Sequence, residues 1–447
     1  MQSEPAEIQS ERDGRSHSRH PSALIERGAF GALVAFIFLA CIPHGLVAPA
    51  GRFGLQWFSF GLAVIVALTA RNRVSRPARR LIGCLALLAG IGFVQILPLP
   101  PSVVEAVSPA SARMYHESST VLKSSGRNPV DPRISIAPRR TASAALGLLA
   151  FAALVFAAAS LTRNPLRRRI LAVAVLLGAM LQVLHVVVTA QSGRVHGTFV
   201  VSNNFAAFLA IAFATAAAYS LGERRRSLRL TAFFVVSLLI VGMTLVRTGS
   251  TGGLAAAIYG TALLFLLERA GGRMHHGVRM LVTLAGPVAG VAITLVFAAK
   301  GTALLAALAP SPLTRETTRV SMWSGALDIW RQFPVFGSGL GAFEDAFRSP
   351  SILRSVAHPH NEFLNVAATA GFAGVAVALV ALLSTWSALV RTASGSRSTD
   401  SRSIALAAFG ALCAITIHGF VDFPLAVPAI GAVLACVVGA GLGGDEG

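Results

Sequence analysis

Long apolar runs recur along this sequence and leave few choices for its fold. A helix needs about 20 apolar residues to cross the hydrocarbon layer of a membrane, and about twelve runs approach that length. Backbone polar groups in lipid must be satisfied internally, which favours helices for runs of this length. The sequence therefore predicts an all-α polytopic membrane protein with about twelve spans, at residues 29–50, 53–70, 81–98, 142–161, 170–190, 199–221, 230–247, 252–267, 279–299, 362–390, 403–420 and 424–442.

The low share of charged residues and the positions of the arginines also indicate a membrane protein. Charged residues make up 13% of the chain, about half the share usual in soluble domains. The net charge of +19 comes from arginines in short clusters between apolar runs. That pattern indicates membrane topology and not a nucleic-acid groove. The four cysteines lie singly in apolar runs, so we expect neither a disulfide framework nor a metal site, and we find no cofactor-binding signature.

The arginine clusters also set the orientation. Short cytoplasmic loops carry an excess of Lys and Arg, and clusters at residues 71–80, 163–169 and 223–229 alternate with the apolar runs as that rule requires. Both termini are therefore predicted to be cytoplasmic. The predicted organisation is a disordered cytoplasmic tail (1–27), spans 1–9 (28–299) with a periplasmic loop at 99–141, a periplasmic candidate catalytic loop (300–361), and spans 10–12 (362–447).

Residues 317–374 differ from the rest of the chain because they are polar and yet lie between spans. Ionisable residues in such a setting are functional candidates by default. Helical spacing of Val320, Trp323, Leu327 and Trp330 predicts a short amphipathic helix. Pro334 should end that helix, and the glycines of residues 334–341 (PVFGSGLG) permit a tight turn.

His360 is the strongest candidate for a catalytic base. Asn361 is predicted to begin or cap the next long helix, which places His360 at a helix N-terminus. A neutral histidine can accept a proton from a hydroxyl. The alternative is that His360 only caps the helix. We interpret His358 as an interfacial neighbour.

Three arginines come from different predicted outer segments: Arg194, Arg247 and Arg319. A guanidinium offers a permanent charge and a planar set of donors that suits phosphate oxygens. Arginines that converge at one membrane face would hold a pyrophosphate and stabilise it as a leaving group. The alternative is a set of solvated loop charges.

Two further polar pairs lie near predicted span ends. Asn203 and Asn204 either orient a sugar hydroxyl or bond a neighbouring helix, because an amide in a span needs a partner. His418 and Asp422 form a candidate pair in which the carboxylate orients the imidazole. A purely structural hydrogen bond between them is the alternative.

Several of these motifs, in the same order, resemble the O-antigen ligase and O-antigen polymerase superfamily. The resemblance covers about residues 194–429 and rests on Arg194 with 197–199 and 203–206, Arg319, Trp323, 334–341, 360–364 and 371–374. It implies a GT-C-like fold with a large periplasmic loop in the bacterial inner membrane. The implied reaction is transfer of a glycan from undecaprenyl pyrophosphate to lipid A–core or to a second lipid-linked glycan, without metal or cofactor.

The resemblance also implies roles for individual residues. Arg194 and Arg319 would bind the donor and take part in catalysis, and His360 would act on the acceptor hydroxyl in an inverting displacement. Candidate substrate-binding residues are Asn203, Asn204, Arg247, Asn361, His418 and Asp422. The sequence departs from the family at Thr251, where many relatives carry an arginine. Arg247 is a candidate replacement, and the neighbouring glycines are also compatible with helix packing alone.

Three alternative functions remain open from the sequence. A polymerase that joins lipid-linked repeat units would carry the same motifs. A protein O-oligosaccharyltransferase usually has further soluble sequence. A secondary transporter would place its polar residues near the bilayer midplane, often within inverted repeats. Here the polar residues gather at one face, so we rank transport below glycan transfer.

Overall fold

The computed structural model describes residues 21–69, 74–223, 227–270, 314–347, 356–396 and 398–443. Within these ranges the chain is helical and contains no strand. The fifteen helices are α1 Pro21–Leu39, α2 Pro49–Thr69, α3 Arg76–Ile96, α4 Pro101–Val107, α5 Pro109–Ser124, α6 Pro138–Leu161, α7 Pro165–Val188, α8 Ser202–Glu223, α9 Leu228–Arg247, α10 Thr251–Ala270, α11 Thr314–Gln332, α12 Phe343–Ala346, α13 Glu362–Gly395, α14 Thr399–His418 and α15 Pro428–Leu442.

Nine of the described helices are long and apolar enough to cross a membrane: α2, α3, α6, α7, α8, α9, α10, α13 and α14. The prediction of an all-α, multi-pass membrane protein is confirmed, and each of these helices overlaps a predicted span. The last predicted span, 424–442, contains α15, which is apolar but only 15 residues long. The predicted span at 279–299 lies outside the described residues.

The first predicted span, 29–50, does not form one helix. α1 begins at Pro21, so it includes part of the predicted 1–27 tail, and it ends at Leu39. A short 3-10 turn follows at His44–Leu46 before α2 begins. The sequence is apolar throughout, but Pro43 lacks a backbone donor and Gly45 adopts φ 70°, so the helix cannot continue.

α8 and α14 form the centre of the bundle, where almost every residue is buried. Both helices are rich in alanine, which lets the backbones approach closely, as is usual between helices in membranes. α10 also approaches α14 closely, since a Cβ atom on Gly260 would lie 2.4 Å from the carbonyl oxygen of Gly410. α2, α3 and α9 lie at the periphery and expose most of their apolar side chains.

The predicted amphipathic helix is present as α11, and it ends just before Pro334 as expected. Its buried face differs from the predicted stripe. The inward residues are Met322, Trp323, Ala326, Ile329 and Phe333. Only Trp323 of the predicted stripe is among them, and Val320 is 37% exposed. Helix α11 is therefore rotated relative to the prediction, because α13 and α5 provide the apolar surface that it covers.

Helix α13 is broken near its start, and the glycine-rich turn docks onto the break. Gly371 adopts φ 62°, ψ −163° inside the helix. The backbone of residues 334–339 supplies the hydrogen bonds that the break leaves open, for example Phe372 N–H to the Pro334 carbonyl at 2.8 Å and Ser338 N–H to the Ala368 carbonyl at 2.9 Å. A Cβ atom on Gly337 would lie 2.2 Å from the Thr369 carbonyl carbon. Gly337 and Gly371 thus permit this close backbone contact.

Gln95, at the end of α3, joins the turn to the broken helix. The side chain is fully buried. Its amide nitrogen donates to the carbonyls of Phe336 at 2.5 Å and Thr369 at 3.0 Å, and its oxygen accepts from the Leu340 N–H at 3.0 Å. The predicted loop at 99–141 contributes from another side, since Ile136 N–H donates to the Ser338 carbonyl at 3.0 Å. These contacts fix the start of α13, and with it the residues that precede it.

Candidate active site at the His360 end of the bundle

Asn361 caps α13 as predicted and positions His360. Its side-chain oxygen accepts from the Leu364 N–H at 3.0 Å, and its amide donates to the Phe420 carbonyl at 3.0 Å. Asn361 is completely buried, so both ends of its amide are committed to the backbone. His360 adopts φ 53°, a left-handed conformation that is costly for a residue with a side chain.

The His360 ring is held from two sides. Its Nδ1 atom lies 3.1 Å from Oδ1 of Asp422, and the side chain remains 31% exposed. The ring also packs edge-on against Phe423, with ring centroids 4.7 Å apart. An imidazole that donates from Nδ1 to a carboxylate keeps Nε2 free to accept a proton.

Asp422 is buried and satisfied by several donors. Besides His360, it accepts from the Asn203 amide at 2.5 Å and from the Phe423 N–H at 3.0 Å. Burial by itself would raise the pKa of Asp422. The hydrogen bond and charge of His360, the charge of His418 and the Asn203 hydrogen bond outweigh burial and lower this pKa to about 2. The carboxylate is therefore ionised at neutral pH.

Asn203 links this carboxylate to Arg194. Nη2 of Arg194 donates to the Asn203 side-chain oxygen at 2.9 Å, and Nε donates to the Thr248 carbonyl at 3.0 Å. The Arg194 side chain lies over Gly249, where a Cβ atom would come within 3.1 Å of it. These bonds use two of the five guanidinium N–H donors, and the exposed side chain can offer the others to an anion. Asn204 is buried beside Asn203 but does not take part in this link.

Arg319 reaches the same region from α11. It lies close enough to His418 for an electrostatic interaction. His418 is 1% exposed, and among the described residues its Nδ1 atom has no hydrogen-bond partner. The ring lies across Gly252 and Gly253 at the start of α10.

No hydrogen bond joins the described side chains of His418 and Asp422, although they are close enough for an electrostatic interaction. The Asp422 backbone N–H donates to the His418 carbonyl at 2.9 Å, but the carboxylate bonds His360. The reason is local geometry. His418 ends helix α14, and its ring packs onto α10, while the turn that follows brings Asp422 under α13.

The glycine segment that departs from the family packs helices together. A Cβ atom on Gly252 would lie 2.8 Å from a Val421 methyl group, and one on Gly253 would lie 2.6 Å from the Ala206 methyl group. Thr251, which stands where relatives carry arginine, is exposed at the start of α10. This supports the helix-packing interpretation of these glycines.

Arg247 supports the loop that carries Arg194. Its Nη2 atom donates to the Gln191 carbonyl at 3.3 Å, and its own carbonyl accepts from the Val195 N–H at 3.2 Å. The bonds on both sides of Arg194 hold that loop against the end of α9. This contact uses one of the five guanidinium N–H donors, and the side chain is exposed, so the replacement of the family arginine by Arg247 stays a prediction.

Three further residues lie near His360, and of these the sequence analysis named only His358, as an interfacial neighbour. His358 packs on Phe423 with ring centroids 4.8 Å apart. Burial, Arg52 and His360 lower the pKa of His358 to about 4, although Glu344 and Asp422 act in the opposite direction. Glu362 accepts from the Leu425 N–H at 2.7 Å and so fixes the turn after Asp422. Only the position of Glu362 beside the His-Asn pair offered a signal, and Arg52 lies far outside the motifs.

The comparison with known families matches one segment of the chain. Residues 235–379 match the O-antigen ligase family. The matched segment includes Arg247, Arg319, His360 and the glycine-rich turn that docks onto α13. No significant match was found among the curated proteins. The match of this segment supports a relation between this multi-pass membrane protein and the O-antigen ligase superfamily.

Proposed function

We propose that this protein is a membrane glycosyltransferase of the O-antigen ligase type. It transfers a glycan from an undecaprenyl pyrophosphate donor to lipid A–core at the periplasmic face of the bacterial inner membrane. The observation that carries the proposal is the continuous link from His360 through Asp422 and Asn203 to Arg194. It couples a histidine able to accept a proton to a cation able to hold a phosphate.

His360 is the base in the proposed reaction. Its Nε2 atom takes the proton of the acceptor hydroxyl, and the hydroxyl oxygen forms the new bond to the anomeric carbon. The bond from that carbon to the pyrophosphate oxygen breaks, and its electron pair leaves with undecaprenyl pyrophosphate. Attack opposite the leaving group inverts the anomeric configuration. Asp422 stabilises the imidazolium that forms, as a carboxylate does for a histidine base in other enzymes.

Arg194 and Arg319 bind the donor pyrophosphate in this proposal. Their charges offset the negative charge that grows on the leaving group as the bond breaks. Asn203 and the Thr248 carbonyl set the direction of the Arg194 guanidinium. The reaction as proposed requires no metal or cofactor, because the donor already carries its leaving group.

The proposed orientation places both termini in the cytoplasm and the His360 end in the periplasm. It follows from arginines at the opposite end of the bundle: Arg163, Arg167, Arg168 and Arg169 around the start of α7, and Arg391 and Arg402 near the facing ends of α13 and α14. Lys and Arg are concentrated in the short cytoplasmic loops of membrane proteins.

Glycan transfer by the purified protein tests the proposal. A defined undecaprenyl-pyrophosphate glycan is offered with lipid A–core or with a second lipid-linked repeat. Wild type is compared with His360→Ala and Arg319→Ala, and with His116→Ala and Arg331→Ala as exposed controls outside the linked residues. We expect product on lipid A–core that is lost only in the first two variants. Ladders of longer lipid-linked glycan would identify a polymerase instead, and unchanged activity of His360→Ala would refute the assigned base.

A further inference from the structure

Arg52 approaches the site from the first turn of α2, far from the motifs and from the matched segment. Its side chain is exposed, and it is close enough to His358 for an electrostatic interaction. Among the described residues, no carboxylate forms an ion pair with Arg52. A cation of this kind is available to an anionic ligand.

The connection before Arg52 is fixed against the site. The Cys41 carbonyl accepts from the Thr198 hydroxyl at 2.7 Å. A Cβ atom on Gly45 would lie 2.9 Å from a Val427 methyl group and 3.1 Å from the Phe199 ring. His44 and Leu46, on either side of Gly45, adopt φ 51° and 61°. Non-glycine residues persist in this conformation only where the surroundings enforce it, and such positions cluster at functional sites.

His358, which interacts electrostatically with Arg52, contributes a ring nitrogen that lacks a hydrogen-bond partner among the described residues. Its Nδ1 atom is buried and has no hydrogen-bond partner among the described residues, which is costly unless a ligand or water completes it. Its ring and the ring of His360 both contact Phe423, at 4.8 and 4.7 Å between centroids. His358 therefore lies beside the candidate base.

We infer that Arg52 and His358 form a subsite for an oxyanion, a phosphate or a carboxylate, carried by the acceptor glycan. The inference rests on the proposed function, because it assigns the donor pyrophosphate to Arg194 and Arg319. Those two arginines are associated with Asn203 and His418, whereas Arg52 is associated with His358. Cations at two places beside one base suit two substrates that each carry negative charge.

Steady-state kinetics with three forms of lipid A–core test the subsite: untreated, phosphatase-treated and carboxyl-reduced. For the untreated acceptor, Arg52→Ala should raise the acceptor KM about tenfold, the change expected when one charge-assisted hydrogen bond is lost. The donor KM and kcat should stay close to those of wild type. Arg52→Lys should show a smaller defect, and Arg127→Ala, an exposed arginine of the loop after α5, should show none.

The modified acceptors identify the group that binds. The effect of Arg52→Ala should disappear with the phosphatase-treated acceptor if the group is a phosphate, and with the carboxyl-reduced acceptor if it is a carboxylate. An equal effect with all three forms would overturn the inference. So would a change confined to the donor KM or to kcat.

Direct binding separates this inference from the proposed function. Calorimetry with untreated lipid A–core and no donor should give a Kd about tenfold higher for Arg52→Ala than for wild type. Normal transfer with unchanged affinity in the variant would reject the subsite and leave the function standing. Weaker binding by the variant without transfer by wild type would reject the function and leave the subsite standing.

Discussion

Oδ1 of Asp422 lies 3.1 Å from Nδ1 of His360, although 62 positions separate the two residues in the chain. The contact joins the start of α13 to the turn after α14. Because Asp422 is ionised, its carboxylate favours the tautomer in which Nδ1 carries the proton. The Nε2 atom is then the proton acceptor, so the carboxylate determines which ring nitrogen can accept the proton.

Replacement of Asp422 by asparagine should remove that orientation while it preserves the size of the side chain. We expect kcat for glycan transfer to fall about 100-fold, toward the lower end of what a positioned general base contributes. The amount of folded protein should change little. Single-turnover transfer with saturating donor measures the effect. Asp131→Asn, an exposed carboxylate of the loop before α6, should leave kcat unchanged; an equal loss in both variants would contradict the assigned role.

Asn203 and Asn204 provide a matched pair of variants. Asn203→Ala breaks the contacts to both Arg194 and Asp422, so we expect the donor KM to rise about tenfold, as for one lost charge-assisted hydrogen bond. Asn204→Ala leaves these contacts in place and should change the donor KM less than twofold. Initial rates over a series of donor concentrations give both values. Similar KM values for the two variants would mean that the Arg194 link does not assist donor binding.

The break in α13 should tolerate no side chain. At Gly371 a Cβ atom would lie 2.4 Å from the Val335 carbonyl oxygen, and φ is 62°. Gly371→Ala should therefore lower the free energy of unfolding by about 2 kcal/mol or more, since strain and overlap add. At Gly395, in the last turn of the same helix, no atom lies within 4 Å of the added carbon. Gly395→Ala should be neutral or slightly stabilising, and thermal unfolding in detergent compares the two.

His358 should make stability depend on pH. Its folded pKa of about 4 lies below the ordinary value of 6.5, so the unfolded chain takes up a proton first as the pH falls. Stability should thus be constant above pH 6.5 and decrease between pH 6.5 and 4. His358→Gln should flatten this part of the profile of Tm against pH. His116→Gln, at an exposed histidine, should not, and a profile unchanged by His358→Gln would show that other groups cause the loss.

The sequence was sufficient to place most of the helices, because an apolar run of about 20 residues in a membrane forms a spanning helix that satisfies its own backbone hydrogen bonds. It failed where an apolar stretch contains a turn, as between α1 and α2. Hydropathy does not distinguish a helix from a packed turn, and only Pro43 and Gly45 marked the difference. The rotation of α11 was missed for a related reason. Tryptophan and valine fit either a protein core or a lipid surface, so the spacing alone does not select the buried face.

The site could be predicted as a set of residues but not as a set of contacts. His360, Asp422, Asn203 and Arg194 were all identified from their types and positions. Whether the Asp422 carboxylate bonds His360 or His418 depends on how α13 and α14 pack together. The sequence favoured His418 because it is nearer to Asp422 along the chain. Arg52 could not have been found, because its relevance depends on a turn held in place by residues 198, 199 and 427.

The hydrogen bonds of Gln95 show that the segment matching the O-antigen ligase family is not structurally independent of the rest of the chain. Phe336, Leu340 and Thr369 lie inside the matched segment, and Gln95 lies well outside it. A chimaera that exchanges only residues 235–379 between relatives would separate the turn from the side chain that completes its hydrogen bonds. Evolution of this protein by recombination would therefore need to exchange α3 and residues 235–379 together, or to acquire compensating changes in both.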